Sequence, residues 1–166
     1  MRSKTFNIIK ALTTIVIAVA GVSLLACKST AAVTTPAPVT EEPLLLYRKS
    51  PCYGPCPTYE ALIYSNGTVQ FIPIKYTPVT DTITFTLSAM ELSKLKKSLA
   101  ELNYKNLQNY YKTEWTDMPA THLYFYEAGK EVKHIKHQEG GPESLIRFIE
   151  EVHEMLWKYV EAAKEK

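Results

Sequence analysis

The charge and hydropathy of the first 26 residues limit how much of this chain can fold as a globular domain. Arg2, Lys4 and Lys10 come first, with no acidic residue among them, and residues 11–26 are apolar apart from two threonines and a serine. A basic start followed by an apolar stretch is typical of a bacterial secretory signal. The pattern therefore predicts that residues 1–26 are a removable signal peptide.

The leader ends in a motif that carries a resemblance. Leu24-Leu25-Ala26-Cys27 resembles the lipobox of bacterial lipoproteins. This resemblance implies cleavage after Ala26 and a lipidated, acylated (palmitate-type) Cys27 that holds the protein on a membrane. Lys28 is not the aspartate that retains lipoproteins at the inner membrane, so by analogy the periplasmic face of the outer membrane is preferred. An uncleaved anchor helix, which needs about 20 apolar residues, and a plain soluble secreted protein stay open.

Composition divides the rest of the chain and excludes one class of partner. Residues 27–43 are rich in Ala, Thr and Pro, which predicts a disordered tether, and residues 44–166 are expected to form a single globular domain. Without the three leader cations the formal net charge falls from +2 to −1. Nucleic acid is therefore not an expected partner.

Alternating apolar residues predict several short strands. Residues 44–49, 59–64 and 68–76 have strand composition, and Asn66-Gly67 between the last two predicts a two-residue type I′ turn. That turn sets a register in which Leu62 faces Phe71 and Ala61 faces Ile72. Residues 82–86 are a further short candidate, and residues 121–126 and 130–137 predict a second hairpin whose register stays ambiguous around Ala128.

Two segments have the period of amphipathic helices. Ser88 and Glu91 form a capping box before leucines spaced by three and four residues, and a second apolar stripe follows Pro142 almost to the C-terminus. Residues 103–119 lack a clear period and predict a loop with one turn of helix. The expected fold is α+β, a mainly antiparallel sheet of about five strands with both helices packed on one face.

Cys52 and Cys56 are the residues most capable of chemistry. Once Cys27 is set aside, they form an even pair in an exported protein, which favours a disulfide. Their Cys-x-x-x-Cys-Pro spacing also resembles the motif of thioredoxin-fold copper chaperones, but here a β-hairpin follows instead of a helix that would lower a thiol pKa. A copper or zinc site with His122 and His134, and a thiol-redox module, remain the alternatives. No other cofactor is indicated.

The cysteine segment also carries a family resemblance. Pro51-Cys52-Tyr53-Gly54-Pro55-Cys56-Pro57-Thr58-Tyr59, followed by a strand, an Asn-Gly turn and another strand, resembles the domain of unknown function numbered 6438. Thr116-Asp117-Met118-Pro119 is similar to a later element of that family, and the resemblance covers about residues 44–159. It implies that the cysteine pair belongs to the domain, but it implies no activity, substrate or catalytic residue.

The remaining patterns favour binding over catalysis. No nucleophile motif, zinc-protease motif or phosphate-binding loop is present in the sequence. A small hydrolase would need a pocket that joins Asp117 to a histidine. We therefore expect a non-enzymatic domain that binds an unknown protein or small molecule through an aromatic surface near the cysteines, with these candidate residues: Tyr53, Gly54, Tyr59, Asp117 and His122.

Overall fold

The computed structural model describes residues 42–115 and 117–164. The predicted signal peptide, Cys27, nearly all of the tether and Thr116 lie outside this part of the chain. The described strands are β1 (Pro43–Lys49), β2 (Thr58–Tyr64), β3 (Thr68–Lys75), β4 (Ile83–Thr86), β5 (Tyr110–Tyr111), β6 (Thr121–Glu127) and β7 (Lys130–His137). The helices are α1 (Ala89–Leu102) and α2 (Glu143–Lys164), and one turn of 3-10 helix spans Tyr104–Asn106.

The strands form one mixed sheet in the order β4-β3-β2-β1-β6-β7-β5. The expected sheet of about five antiparallel strands is therefore wrong, although the α+β class is correct. β5, the last strand in this order, has only two residues and pairs in parallel with the end of β7. Its segment has no alternating pattern, so only the pairing of Tyr110 with Lys136 and Tyr111 with His137 makes it a strand.

The capping box predicted at the start of α1 is present. The Glu91 amide donates to the Ser88 hydroxyl (3.2 Å), and the Ser88 amide donates to the Glu91 carboxylate (3.0 Å). Lys158 and Tyr159 of α2 donate to the same carboxylate at 2.8 and 2.6 Å. Lys158, with Ser88 and Tyr159, lowers the pKa of Glu91 to about 2. One side chain thus caps α1 and joins it to α2.

Both helices cover the same face of the sheet. Tyr47 of β1 donates to the Ile149 carbonyl of α2 (3.3 Å), Phe85 of β4 stacks on Tyr159, and Phe125 of β6 contacts Phe148. No described element covers the other face, whose side chains are half-buried or exposed. Within the described residues, neither helix combines the length and hydropathy needed to cross a membrane.

The first hairpin has a different register from the one predicted. Ala61 pairs with Phe71 and Ile63 with Val69, so the loop has three residues and only Gly67 has a positive φ, of 90°. A one-residue shift would place Gln70 beside Ile63. The observed register instead sends Gln70 and Glu60 to the open face, together with Leu62 and Ile72. The residues it buries under the helices are Ala61, Ile63, Val69 and Phe71.

The type I′ geometry is found in the second hairpin. Ala128 and Gly129 both have positive φ, 47° and 73°, and they connect the paired residues Glu127 and Lys130. A left-handed conformation costs a non-glycine residue roughly 1–2 kcal/mol. Pairing of β6 with β7 therefore determines this turn against the local preference of Ala128.

Gly67→Ala should destabilise the domain more than Gly129→Ala. Both positions have positive φ, but a Cβ at Gly67 would lie 3.2 Å from Cδ2 of Leu92, whereas nothing lies within 4 Å of one at Gly129. We expect the free energy of unfolding to fall by about 2 kcal/mol at Gly67 and about 1 kcal/mol at Gly129. Urea unfolding of the two variants measures this difference, and equal losses would contradict the hairpin geometry.

Candidate functional site

The predicted disulfide between Cys52 and Cys56 is present in the structure, with Cα atoms 5.8 Å apart. It closes a loop between β1 and β2 that also contains Pro51 and Pro55. The Gly54 amide donates to Sγ of Cys52 (3.1 Å) inside this loop. Because the closed loop is short, the disulfide lowers the entropy of the unfolded chain only modestly, which adds about 2 kcal/mol to the free energy of unfolding. Its main effect is to hold the backbone of residues 52–56 in one shape.

Four loops, including the cysteine loop, lie at the same end of the sheet, which we call the cysteine-loop end. They are residues 50–57, 76–82, 112–120 and 138–142. The antiparallel pairing fixes this, because β1, β3 and β7 end where β2, β4 and β6 begin. The Ser50 amide donates to the Ala120 carbonyl (2.9 Å), and the Ala120 amide donates to the Ser50 hydroxyl (2.8 Å). The cysteine loop is therefore bonded to the loop that precedes β6.

The loop before α2 is bonded to the same group. The Gln138 side chain donates to the Met118 carbonyl (3.1 Å), and the Gln138 amide donates to the Tyr111 carbonyl (2.8 Å). Gly141 packs so closely on the Tyr111 ring that a Cβ there would lie 2.7 Å from a ring carbon. These contacts connect three of the four loops across the end of the sheet.

Exposed apolar side chains are concentrated at this end. Among residues 42–115 and 117–164, eight large apolar side chains are exposed, and only Met90 and Val132 lie elsewhere. Tyr53 is 94% exposed and Trp115 is 75% exposed. The full set at the cysteine-loop end comprises Tyr53, Ile74, Tyr76, Tyr110, Trp115 and Met118. Clustered exposed apolar groups commonly mark interaction sites.

The structure separates the residues that the sequence grouped as one binding surface. Tyr53, Gly54 and Asp117 are exposed in loops of the cysteine-loop end. Tyr59 has no exposed surface, so it cannot contact a ligand directly, and His122 is half-buried on the open face of the sheet.

Most of the exposed apolar residues at this end are not among the residues predicted from the sequence. Trp115 and Met118 lie in a segment without a period, and Tyr110 lies in the two-residue strand β5. The sequence signal that could have indicated them is the presence of large apolar side chains in a segment without helix or strand periodicity. The sequence could not show that this loop meets the cysteine loop, because that depends on strand pairing.

A buried polar cluster lies beneath the loops. The Tyr59 hydroxyl is 2.7 Å from Nδ1 of His153, and Trp157 packs on both rings. Burial raises the pKa of Tyr59 and of Tyr47, whose ring stacks on Tyr59. His153, on α2, is half-buried against the sheet.

His153 is held neutral at this position. Burial, and then the charge of Lys49, lower its pKa to about 4. Burial also lowers the pKa of Lys49 itself. The Tyr59 hydroxyl can donate to Nδ1 or accept from it, so either neutral tautomer of His153 makes this bond. The cluster thus joins α2 to β2 without a buried charge on the imidazole.

The alternative metal site of two cysteines and a histidine is not assembled. Both sulfurs belong to the disulfide, and the described residues contain no group of three His, Cys, Asp or Glu side chains placed to hold an ion. His122 and His134 do meet, with Nδ1 of His122 at 3.1 Å from Nε2 of His134. His137 instead contacts the Gly140 carbonyl (2.8 Å), at the end of β7.

Three of the cavities in the described part of the chain have volumes of about 260, 390 and 180 Å³. The first lies between α1 and α2, over Leu95 and Phe148. None of the three is lined by a cysteine, a histidine or Asp117. These cavities therefore do not supply the pocket that a hydrolase using Asp117 and a histidine would need.

The model of a known protein family matches most of the domain. The family described as Domain of unknown function (DUF6438) matches residues 43–156. The chain belongs to this family. The match confirms the resemblance seen in the sequence, and in this DUF6438 domain it includes the cysteine loop and every described strand. No curated protein matches the chain.

His153 should make the stability of this DUF6438 domain depend on pH. In the unfolded chain its pKa is about 6.5, so between pH 6.5 and 4 the unfolded state takes up a proton that the folded state does not. The free energy of unfolding should therefore fall as the pH falls through this range. Urea unfolding at pH 7 and pH 4.5 should show a smaller loss for His153→Gln than for wild type.

His122 is present in both wild type and His153→Gln, so its own contribution to the pH dependence cancels when the two are compared. An identical loss of stability in wild type and variant would show that His153 is not held neutral in the folded domain.

Proposed function

We propose that this protein is a non-enzymatic binding domain, anchored by lipid in the bacterial cell envelope, that contacts its ligand through the cysteine-loop end. The observation that supports this most is the position of the exposed apolar side chains. Six of the eight among the described residues lie at one end of the sheet, and four of these six are in its loops. Loops held by a rigid sheet are a common location for binding residues.

The rigidity of these loops favours binding. The disulfide between Cys52 and Cys56 fixes one loop, and hydrogen bonds from Ser50 and Gln138 connect it to two others. Aromatic side chains on a preorganised backbone lose little conformational entropy when a partner binds. Tyr53 and Trp115 are therefore the residues we expect to contact the ligand, together with Gly54 and Asp117 in the same loops.

The sequence of the leader supports the lipid anchor at Cys27. A basic start, an apolar stretch and a lipobox precede a cysteine in the expected order, and the two remaining cysteines form a disulfide. The tether enters the domain at Pro43, where β1 begins, whereas the cysteine loop follows the other end of β1. An anchor at Cys27 thus leaves the binding loops at the end of the sheet opposite the tether.

Replacing Cys27 should release the protein from the membrane. Wild type made in a bacterial host that processes lipoproteins should fractionate with membranes, and its mass should show a diacylglyceryl group and an acyl chain on Cys27. Cys27→Ser should be recovered in the aqueous fraction, because it has no sulfur to receive the lipid. A chain that still begins at Met1 and has an unmodified Cys27 would contradict the proposed anchor.

Site-specific photo-crosslinking tests the binding surface. A photoreactive phenylalanine derivative placed at Tyr53 or Trp115 of the full chain, in its native host, should give an adduct of one common mass. The matched control positions are Met90 and Val132, which are also exposed and apolar but lie elsewhere. Adducts of equal yield at the controls, or none at any position, would contradict the proposal.

A thiol-redox module using Cys52 and Cys56 is a second candidate, and one contact favours it. The Gly54 amide, which donates to Sγ of Cys52 in the disulfide, would also stabilise a Cys52 thiolate after reduction. Reversible reduction at a mild potential, with turnover of a disulfide substrate, would favour this candidate over the binding domain.

A further inference from the structure

His122 of β6 and His134 of β7 form a pair on the open face of the sheet. In the antiparallel register His122 lies opposite Lys136 and His134 lies opposite Tyr124, so the two histidines are diagonal neighbours. Nδ1 of His122 and Nε2 of His134 are 3.1 Å apart. Both side chains are half-buried, and no described element lies over this face.

Two features hold the two imidazole rings next to each other. β6 and β7 are paired without a register shift from Thr121 to Phe125, the part of the hairpin that carries both histidines. Tyr124 stacks on His134 with ring centroids 4.1 Å apart and planes within 5°, and the His122 ring lies within 15° of the His134 ring. The two nitrogens are therefore held near each other by rigid strands and by a stack of three rings.

The distance between the nitrogens suits two ligands of one metal ion. Two nitrogens each about 2.05 Å from an ion are about 2.9 Å apart at a right angle and about 3.3 Å apart at the tetrahedral angle. The observed 3.1 Å lies between these values. An ion about 2.05 Å from both nitrogens would lie about 1.3 Å off the line that joins them, so each lone pair must turn by about 40° from that line to point at the ion.

The protonation state of the pair agrees with this geometry. Burial, with charge from His134 and then Arg48, lowers the pKa of His122 to about 4, and burial also lowers the pKa of His134. In the hydrogen bond between the rings, one facing nitrogen carries the shared proton and the other accepts it. For both facing nitrogens to bind an ion, the ring that holds the shared proton moves it to its other nitrogen, without net proton release.

The charges around the pair are mixed. The positive charges of Arg48 and Lys136 disfavour a cation near His122. Two negative charges offset them: Glu60 forms an ion pair with Arg48 at 3.4 Å, and the charge of Glu131 favours a cation at His134. The site therefore depends on coordination by the two imidazoles and not on a negative field.

We propose that His122 and His134 chelate one divalent transition-metal ion on the open face, with water or an external ligand in the remaining positions. Imidazole nitrogens suit Cu²⁺ and Zn²⁺, and the usual order of affinities puts Cu²⁺ first. The site uses neither cysteine, and it is separate from the proposed binding surface at the cysteine-loop end. It can therefore exist whether or not that binding proposal holds.

Titration of the purified full chain with Cu²⁺ alone tests the site. Wild type should bind one tight equivalent, and its electron paramagnetic resonance spectrum should show two imidazole nitrogens. His122→Gln and His134→Gln should each weaken this binding by about tenfold or more. His137→Gln is the matched control on the same strand and should bind as wild type does. Unchanged binding in His122→Gln and His134→Gln would overturn the proposal.

A second measurement needs no substitution, so it does not depend on the folding of a variant. Zn²⁺ added below one equivalent should shift the ring resonances of His122 and His134 in the nuclear magnetic resonance spectrum before those of His137 and His153. Simultaneous shifts of all four histidines, or shifts of His137 first, would also overturn the proposal.

Discussion

Burial of only one face of the sheet is the constraint on which the rest of this structure depends. α1 and α2 both pack on the face that carries Tyr47, Phe71 and Phe125, and the resulting core is continuous from β4 to β7. Strands with one covered face must separate apolar from polar residues by alternation. That requirement sets the register of both hairpins, and through the register it sets which loops meet and which side chains share the open face.

The two candidate sites follow from this arrangement in different ways. At the cysteine-loop end, the antiparallel pairing brings together loops that are distant in sequence, and the disulfide and the bonds of Ser50 and Gln138 hold them. On the open face, the same pairing places His122 beside His134. The polar contact between Tyr59 and His153 lies beneath the first site and joins α2 to the sheet. Tyr59 therefore serves the scaffold, although its sequence position beside the cysteines suggested a surface role.

Sequence patterns predicted the elements better than their pairing. The capping box of Ser88 and Glu91 and the leucine spacing of α1 are local, so they could be recognised without a structure. The disulfide could be expected because the chain is predicted to be exported, and setting Cys27 aside leaves Cys52 and Cys56 as a pair. The prediction of a type I′ turn at Asn66-Gly67 was wrong, because the local turn preference competes with burial. Keeping Glu60 and Gln70 out of the core requires a register shifted by one residue, and this requirement outweighs the turn preference. The same turn type forms instead at Ala128-Gly129.

The sequence by itself determined the class of fold, the two helices, the family resemblance and the chemistry available at Cys52 and Cys56. These depend on residues that are close in the chain, where spacing and residue type carry the information. Only the tertiary structure decided that β5 is a strand, that Trp115 and Tyr53 share one end of the sheet, that Tyr59 is buried and that two histidines are in contact. The first three depend on pairing between segments far apart in sequence, and such pairing is selected by the burial of the whole sheet face and not by any local pattern. The contact between the two histidines depends on the register of one hairpin, which its turn residues left ambiguous.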